Sequence, residues 1–133
     1  MSEAFNLTDV FAVLKPDLSV ETVNVSPTIY EELDEKFDQF RSHVLVAQYA
    51  FTEDWPTWER HPAGDEIVVL LSGKADMMLR VDGKDERVSL NQPGSYVVVP
   101  AGVWHTARVA EKTRMLFVTP GEGTENSVGK ELP

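Results

Sequence analysis

The chain has 133 residues, of which 42% are hydrophobic and 26% charged, as in a single globular domain and unlike a disordered segment. Its net charge of −10 argues against a nucleic-acid partner, because no basic stripe exists to neutralise phosphates. The absence of cysteine excludes disulfides, thiolate metal sites and cysteine nucleophiles. The sequence shows neither a secretory signal nor an apolar run long enough to cross a bilayer, so we expect a cytoplasmic protein with no membrane partner.

The first part of the chain predicts short elements that precede the main β region. Residues 7–14 are apolar with a mixed period and fit either a strand or a helical turn. Residues 20–25 alternate between apolar and polar side chains, which predicts a half-buried strand. Residues 27–40 carry apolar side chains at helical spacing directly after Ser26, a typical N-cap residue. We expect one amphipathic helix there, packed on the rest of the domain or on a second subunit.

From residue 43 onward the pattern is one of short strands separated by turn residues. The predicted strands cover residues 43–51, 67–71, 75–81, 86–90, 96–99, 106–110 and 114–119. Asp82-Gly83 is typical of a tight type I′ hairpin turn. This spacing favours an all-β sandwich or barrel. Residues 120–133 are rich in glycine, glutamate and small polar residues, and predict a polar flexible tail.

Two of the three histidines lie in turn-rich segments that could build a metal site. His61 is followed by Glu66, which directly precedes the apolar run 67–71, and His105 ends the segment Pro100-Ala101-Gly102-Val103-Trp104-His105. A carboxylate at the start of a buried strand is costly to bury unless it is paired or bound to a metal. The third histidine, His43, starts a strand with no polar partner in the sequence, so we expect it to be structural or exposed.

The spacing of these residues resembles the two motifs of the cupin family. The first family motif reads G-x5-H-x-H-x(3,4)-E-x6-G, and here four residues separate His61 from Glu66 and six separate Glu66 from Gly73. The second motif reads G-x5-P-x-G-x2-H-x3-N, and it is matched by Gly94, Pro100, Gly102 and His105. The resemblance covers residues 45–119. Two matched blocks at the right separation are more specific than either block alone.

The resemblance implies an all-β fold, a cupin-type antiparallel β-barrel (double-stranded β-helix or jelly roll), here with one short N-terminal helix. We expect residues 1–42 to form a strand and a helix that pack on the barrel, residues 43–119 to form the barrel, and residues 120–133 to form the tail. The resemblance also implies a metal held inside the barrel near one end. Because cupins commonly pair through their outer strands, it further implies a homodimer.

The chain departs from the first motif at an informative position. Glu59 stands two residues before His61, where the family has its first histidine. Val109 replaces the asparagine that closes the second motif, and no glycine opens the first. Period-2 alternation puts Glu59 on the same side of a strand as His61. Glu59 is therefore either a fourth ligand or a free carboxylate that acts as a base or contacts the substrate; a third alternative is a site that no longer binds metal.

The donor set ranks the metals and the functions. Two imidazoles and two carboxylates balance one divalent cation, and a nitrogen and oxygen set without sulfur suits Fe, Mn, Ni or Zn. Without Glu59, the residues His61, Glu66 and His105 make the two-histidine-one-carboxylate pattern of non-haem iron oxygenases. We therefore expect one divalent metal and a small-molecule substrate, handled by a dioxygenase or related oxidoreductase. An isomerase or lyase that uses the metal as a Lewis acid, and a non-catalytic binding module with or without metal, are alternatives.

Strand parity predicts the surroundings of the metal. The side chains with the same parity as Glu66 or His105 form an expected apolar chamber, lined by Val68, Leu70, Ala107 and Val109. Such a chamber favours a small, partly hydrophobic ligand. Trp55 and Trp58 flank Pro56 before the first motif and could line the entrance.

Overall fold

The structure is a computed structural model that describes residues 3–127. Its elements in chain order are β1 (Val10–Leu14), β2 (Val20–Asn24), α1 (Ile29–Lys36), a short 3-10 helix (Asp38–Phe40), β3 (Val44–Phe51), β4 (Glu59–Arg60), β5 (Glu66–Ser72), β6 (Ala75–Val81), β7 (Lys84–Leu90), β8 (Tyr96–Val99), β9 (His105–Arg108), β10 (Thr113–Thr119) and β11 (Glu125–Asn126). The expected all-β architecture with one short N-terminal helix is confirmed. Residues 7–9 form a turn, and the apolar segment after them is a strand.

Two antiparallel sheets build the molecule. One has the strand order β2-β1-β3-β10-β5-β8 and the other has the order β11-β4-β9-β6-β7. Burial alternates along several strands, as on β5, where Glu66, Val68 and Leu70 are buried while Ile67 is exposed. Residues of both sheets meet in one core that includes Met77, which is 0% exposed. The two sheets therefore enclose an apolar interior, next to which the buried polar side chains of Glu66 and His105 lie at the ends of strands.

A second core lies between α1 and the first strands. The buried side chains of this core are Phe11, Val13, Ile29, Leu33, Phe37, Phe40, Leu45 and Ala47. The helix ends at Lys36, earlier than the predicted residue 40, because Asp38, Gln39 and Phe40 all have positive φ. The chain turns there, and the rings of Phe37 and Phe40 are placed 5.3 and 5.4 Å from that of His43. This part of the structure fixes the direction in which β3 enters the sheet.

The hairpin between β6 and β7 has the predicted turn. Asp82 and Gly83 have φ of 51° and 77°, and Val81 pairs with Lys84. Positive φ at both central residues is what a type I′ turn requires, and Asp-Gly adopts it at low cost. The prediction made from these two residues is confirmed.

The alternation of side chains along the strands correctly predicted which residues are buried, but the prediction that they line a chamber at the metal was wrong. The four side chains expected to face inward are all buried in the core: Val68, Leu70, Ala107 and Val109. They pack against other core residues and do not line the cavity described below. The physical reason is that the two sheets are close-packed around them, so the open space lies on the side of α1 and β3 instead.

The segment after β10 differs from the predicted flexible tail as far as residue 127. Glu125 and Asn126 form β11 and pair with β4, and Ser127 is 6% exposed. The Ser127 amide donates to the Trp58 carbonyl at 2.9 Å, and the Trp58 amide donates to Ser127 Oγ at 3.0 Å. The composition predicted a free tail because a run of small polar residues shows no strand pattern. The structure differs because β4 supplies backbone hydrogen-bond partners to this segment. Residues 128–133 lie outside the described residues.

The outer face of the six-stranded sheet carries exposed apolar side chains. Ile67 pairs with Val98 across β5 and β8, and the two are 36% and 46% exposed, next to Tyr96 at 63%. The expected homodimer stays a prediction, with this face as its candidate surface. In the described part of the chain, no helix has the length and apolarity needed to cross a membrane.

Replacement of Gly73 by alanine tests the close contact between the β5–β6 turn and β10. Gly73 has φ of +81°, and a Cβ there would lie 2.5 Å from Thr113 Oγ1 and 2.6 Å from the Lys112 carbonyl oxygen. We expect Gly73→Ala to lower the free energy of unfolding by about 3 kcal/mol, because the clash adds to the backbone penalty. Urea denaturation measures the change.

Gly83→Ala is the matched control for this substitution. Gly83 has φ of +77°, but its Cβ would meet nothing within 4 Å. It should cost about 1 kcal/mol, the backbone penalty alone. Equal losses in the two variants would contradict the close contact at Gly73.

Candidate metal centre

The pairing of the strands brings the four predicted residues into one place. Glu59 begins β4, His105 begins β9, and these two residues are partners across the antiparallel pair. Glu66 begins β5 in the other sheet, and His61 immediately follows β4. Each side chain is therefore held at the end of a strand, where the backbone is fixed by its ladder. His43, by contrast, lies in the second core, and its Nδ1 is 2.7 Å from the Arg41 carbonyl oxygen.

The ligand atoms of the four residues converge. His61 Nε2 lies 3.2 Å from Glu66 Oε2 and 3.4 Å from Glu59 Oε1. His105 Nε2 lies 3.1 Å from Glu66 Oε1 and 3.3 Å from Glu59 Oε1. One ligand atom from each residue can be chosen so that all four lie within 4.8 Å of one another. His61, Glu66 and His105 are buried and Glu59 is half-buried.

These short distances have the character of a coordination shell. Among the described residues, His61 Nε2, His105 Nε2 and Glu66 Oε1 are buried atoms that make no correctly directed hydrogen bond. The nitrogen and oxygen atoms are therefore close enough for hydrogen bonds, but their directions do not fit hydrogen bonds. Ligands about 2.1 Å from a common ion are separated by roughly 3.0 Å in octahedral and 3.4 Å in tetrahedral geometry. The observed contacts fall in that range, so the four residues fit a metal site.

Hydrogen bonds at the far nitrogens determine which imidazole nitrogen faces the site. The Thr124 hydroxyl donates to the Gly121 carbonyl at 2.9 Å, so it accepts at 2.8 Å from Nδ1–H of His61. His105 Nδ1 donates to the Val103 carbonyl at 3.0 Å. With Nδ1 protonated in each neutral ring, the lone pair is on Nε2, which is the nitrogen that faces the other ligands.

Glu66 is held from behind in the same way. The Thr119 hydroxyl donates to Glu66 Oε2 at 2.6 Å. Thr119 ends β10, which pairs with β5, so the strand that carries Glu66 is adjacent to the strand that supplies its donor. This hydrogen bond restricts rotation of the carboxylate and leaves Oε1 as the atom without a partner.

The charges of the cluster are strongly coupled without a metal. Burial lowers the pKa of both histidines, but attraction to the nearby carboxylates of Glu59 and Glu66 outweighs it and raises the pKa of His61 to about 9 and of His105 to about 10. Burial raises the pKa of the two carboxyls, yet the effect of the imidazoles is larger. The pKa of Glu66 is therefore lowered, and the pKa of Glu59 falls to about 2. Both carboxylates are thus ionised at neutral pH and offer negative charge to a cation.

A large open cavity leads to the cluster. Its volume is about 1260 Å³, and its lining includes Glu59, His61 and Glu66. Trp55 and Pro56 line it, as expected for the entrance, whereas Trp58 is 6% exposed and does not. A small molecule can therefore reach the ligand atoms from the side of α1 and β3.

Sequence reasoning found all four clustered residues and missed the threonines that orient them. Thr124 lies in the segment predicted to be a tail, and no pattern in the sequence indicated its contact with His61. Thr119 was predicted to end a strand, but a pairing of β10 with β5 is required to bring it to Glu66. Such partners can be recognised only from the tertiary structure, because Thr124 is 63 residues from His61 in the sequence and Thr119 is 53 residues from Glu66.

Removal of the Thr124 hydroxyl tests the control of the His61 tautomer. Thr124→Val has nearly the same shape but offers His61 Nδ1–H no acceptor. We expect the affinity for Zn²⁺ to fall by roughly 10- to 100-fold, the usual effect of losing such a partner. Competition with a chromophoric chelator measures the affinity. Thr124→Ser keeps the hydroxyl and should bind as the parent does; equal affinities of the valine and serine variants would contradict the assignment.

The coupled pKa values predict how metal binding depends on pH. In the metal-free protein the raised pKa values of His61 and His105 stabilise the fold fully below about pH 6.5, and this contribution is lost as pH rises through about 9 and 10. The lowered pKa of Glu59 stabilises above about pH 4.5, and this contribution is lost as pH falls through about 2. Protons on the imidazoles compete with metal.

We therefore expect the increase in Tm caused by one equivalent of Zn²⁺ to be small at about pH 5.5 and to grow steadily to about pH 8.5. Differential scanning calorimetry at constant ionic strength measures it. His105→Ala should show little increase at any pH, and an increase that shrinks as pH rises would contradict the prediction.

Comparisons with known proteins agree with this geometry. The profile of the Cupin domain family matches residues 49–120. Acireductone dioxygenases from two strains of Rhodopseudomonas palustris are 39% identical to the chain over 61 residues, which are 46% of this chain and 36% of theirs. The chain thus spans about a third of the length of these curated relatives.

Solved structures share the fold. A cupin-2 domain containing protein from Shewanella frigidimarina is 21% identical, with a TM-score of 0.50 over 58% of this chain and 70% of that one. Oxalate decarboxylase from Bacillus subtilis is 20% identical, with a TM-score of 0.54 over 64% of this chain and 23% of that one. The family profile covers more than half of the chain and includes Glu59, His61, Glu66 and His105, so the chain belongs to the cupin domain family.

Proposed function

We propose that this cupin is a divalent-metal-dependent enzyme that oxidises a small organic molecule with dioxygen. The observation that carries the proposal is the convergence of two imidazole nitrogens and two carboxylates, in which His61 Nε2, His105 Nε2 and Glu66 Oε1 are buried without a hydrogen-bond partner among the described residues. The similarity to acireductone dioxygenase over 61 residues supports the reaction class, which the cupin fold alone does not define because it is compatible with many reactions.

The proposed ligands are His61, Glu66 and His105. Their Nε2 and carboxylate oxygens face one point, and each is oriented from behind by a hydroxyl or a carbonyl. An iron, manganese, nickel or zinc ion bound there supplies Lewis acidity and, in the case of iron or manganese, redox capacity. The carboxylates of Glu59 and Glu66 would neutralise the charge of the ion, which lowers the cost of holding it next to an apolar core.

Glu59 has the more variable role. It is the most exposed of the four residues, with 25% of its side chain accessible, and it lines the cavity. Oε1 is within 3.4 Å of both Nε2 atoms, as a fourth ligand requires. The same position at the cavity wall allows it to take a proton from a bound substrate when it does not ligate. The two roles predict different behaviour on substitution.

Elemental analysis of protein purified without a metal-affinity tag tests the site. We expect close to one iron, manganese, nickel or zinc ion per chain, lost in His105→Ala and retained in His43→Gln. Loss of the ion in Glu59→Ala identifies Glu59 as a ligand, whereas an ion retained with turnover abolished identifies it as the base. Glu86→Ala, a change on an exposed strand, controls for general effects of removing a carboxylate.

Oxygen consumption tests the reaction. The metal-free protein is loaded anaerobically with Fe(II), mixed with a panel of small organic substrates and exposed to dioxygen in an electrode chamber. We expect uptake with at least one substrate and none in His105→Ala. A protein that binds the metal stoichiometrically and consumes no oxygen with any substrate contradicts the dioxygenase proposal and favours a binding module. Conversion of a substrate without oxygen uptake favours an isomerase or lyase.

A further inference from the structure

We propose that the cavity at the metal centre binds an organic cation with an aromatic or apolar body, and discriminates against carboxylate ligands. The inference deepens the proposed function, because it names the ligand class of the same site. It rests on three features of the cavity: unpartnered buried ligand atoms at its end, a wall of aromatic rings, and a marked excess of negative charge. His61 and Glu66, both at least nine-tenths buried, carry the unpartnered atoms.

Four aromatic side chains from β3, β10 and the β3–β4 loop form a continuous wall. Phe51 lies 5.4 Å from Trp55 and 6.1 Å from Phe117, and Trp55 lies 5.8 Å from Phe117, measured between ring centroids. Tyr49 extends the wall at 6.2 Å from Phe51. All four line the cavity. Neighbouring rings are inclined to one another by 40° to 85°. Such a wall offers apolar contact area for the body of a ligand and π faces that attract the charge of an organic cation.

The charged side chains around the cavity are almost all acidic. Apart from His61 of the metal cluster, the lining in the described ranges contains one basic side chain, Arg41, and six carboxylates: Asp34, Glu53, Asp54, Glu59, Glu66 and Glu122. The Arg41 guanidinium donates to Gln39 Oε1 at 2.9 Å and lies 3.9 Å from Asp38 Oδ1, so other groups already share its charge. A carboxylate ligand would therefore meet repulsion from most of the charged side chains and attraction from one partly engaged guanidinium.

A bound metal does not remove this excess. A divalent ion balances Glu59 and Glu66, and the rest of the lining keeps four carboxylates against Arg41, a net charge of −3. Two of the four have structural hydrogen bonds: Asp54 Oδ1 accepts from the Val109 amide at 2.9 Å and Glu122 Oε1 accepts from the Ser42 amide at 3.2 Å. Asp34, on α1, and Glu53, on the loop after β3, are exposed and line the cavity. They are the carboxylates available to a ligand.

The experiment uses three probes with a phenyl body of similar size and different charge: 2-phenylethylamine, 2-phenylethanol and 3-phenylpropionate. Each is titrated calorimetrically into the zinc-loaded and the metal-free protein at neutral pH and moderate salt. We expect the amine to bind roughly tenfold more tightly than the alcohol, and the alcohol more tightly than the carboxylate. The advantage of the amine should shrink as salt is raised. An alcohol or carboxylate that binds as well as the amine overturns the proposal, and so does a folded protein that binds none of the three at millimolar concentration.

Variants separate the charge from the aromatic wall. The double variant Asp34→Asn/Glu53→Gln should lose most of the preference for the amine over the alcohol and keep its affinity for the alcohol. Phe51→Leu should weaken binding of amine and alcohol alike. Glu86→Gln, on the exposed strand β7 and outside the cavity, should change neither. An amine preference that is intact in the double variant overturns the assignment of the recognition to these carboxylates.

Metal content is measured in the same samples, so that the two proposals can fail separately. A protein that binds no metal but prefers the amine contradicts the proposed enzyme and supports a cation-binding cupin. A protein that holds its metal and shows no preference for the amine overturns only the inference about the ligand.

Discussion

The structure depends on four ionisable groups that converge at one point between two sheets, three of them buried and Glu59 half-buried. Isolated, each imidazolium or carboxylate would cost several kcal/mol to remove from water. Together they balance one another, and they do so at the ends of strands whose ladders hold the backbone in place. Glu59 and His105 are paired across β4 and β9, so the distance between them is a property of the sheet and not of flexible side chains. A divalent ion at the common point would lower the free-energy cost of this burial, because one cation would interact with every ligand atom that lacks a hydrogen-bond partner.

The candidate metal centre has packed core on one side and an open cavity on the other. On the closed side, Val68 and Leu70 pack against the core with no exposed surface, which keeps water away from the backs of the ligands. On the open side, the cavity is lined by residues of α1, of β3 and the loop after it, and of the segment after β10. Thr124, in the segment after β10, both orients His61 and lines the cavity. This segment therefore contributes to the approach to the cluster and to the orientation of one of its imidazoles.

The sequence was sufficient for the fold class and for the identity of the clustered residues. The strand periods and the Asp82-Gly83 turn depend on neighbours within a few residues, so local interactions determine them, whereas His61, Glu66 and His105 were identified by their resemblance to the two cupin motifs. The helix was predicted too long because positive φ at Asp38 ends it, and that conformation results from packing on His43 and the first strands. Propensity and period carry no information about such a packing-induced turn.

What the sequence determined by itself is which residues could bind a metal and on which side of their strands they lie. Only the tertiary structure decided where the open space is, which hydroxyls orient the ligands, and how much negative charge surrounds the approach. These properties depend on segments far apart in the chain, such as Thr124 beside His61 and α1 beside β3. Strand parity can predict that a side chain is buried, but whether it faces packed core or cavity depends on what the opposite sheet and the helix place against it.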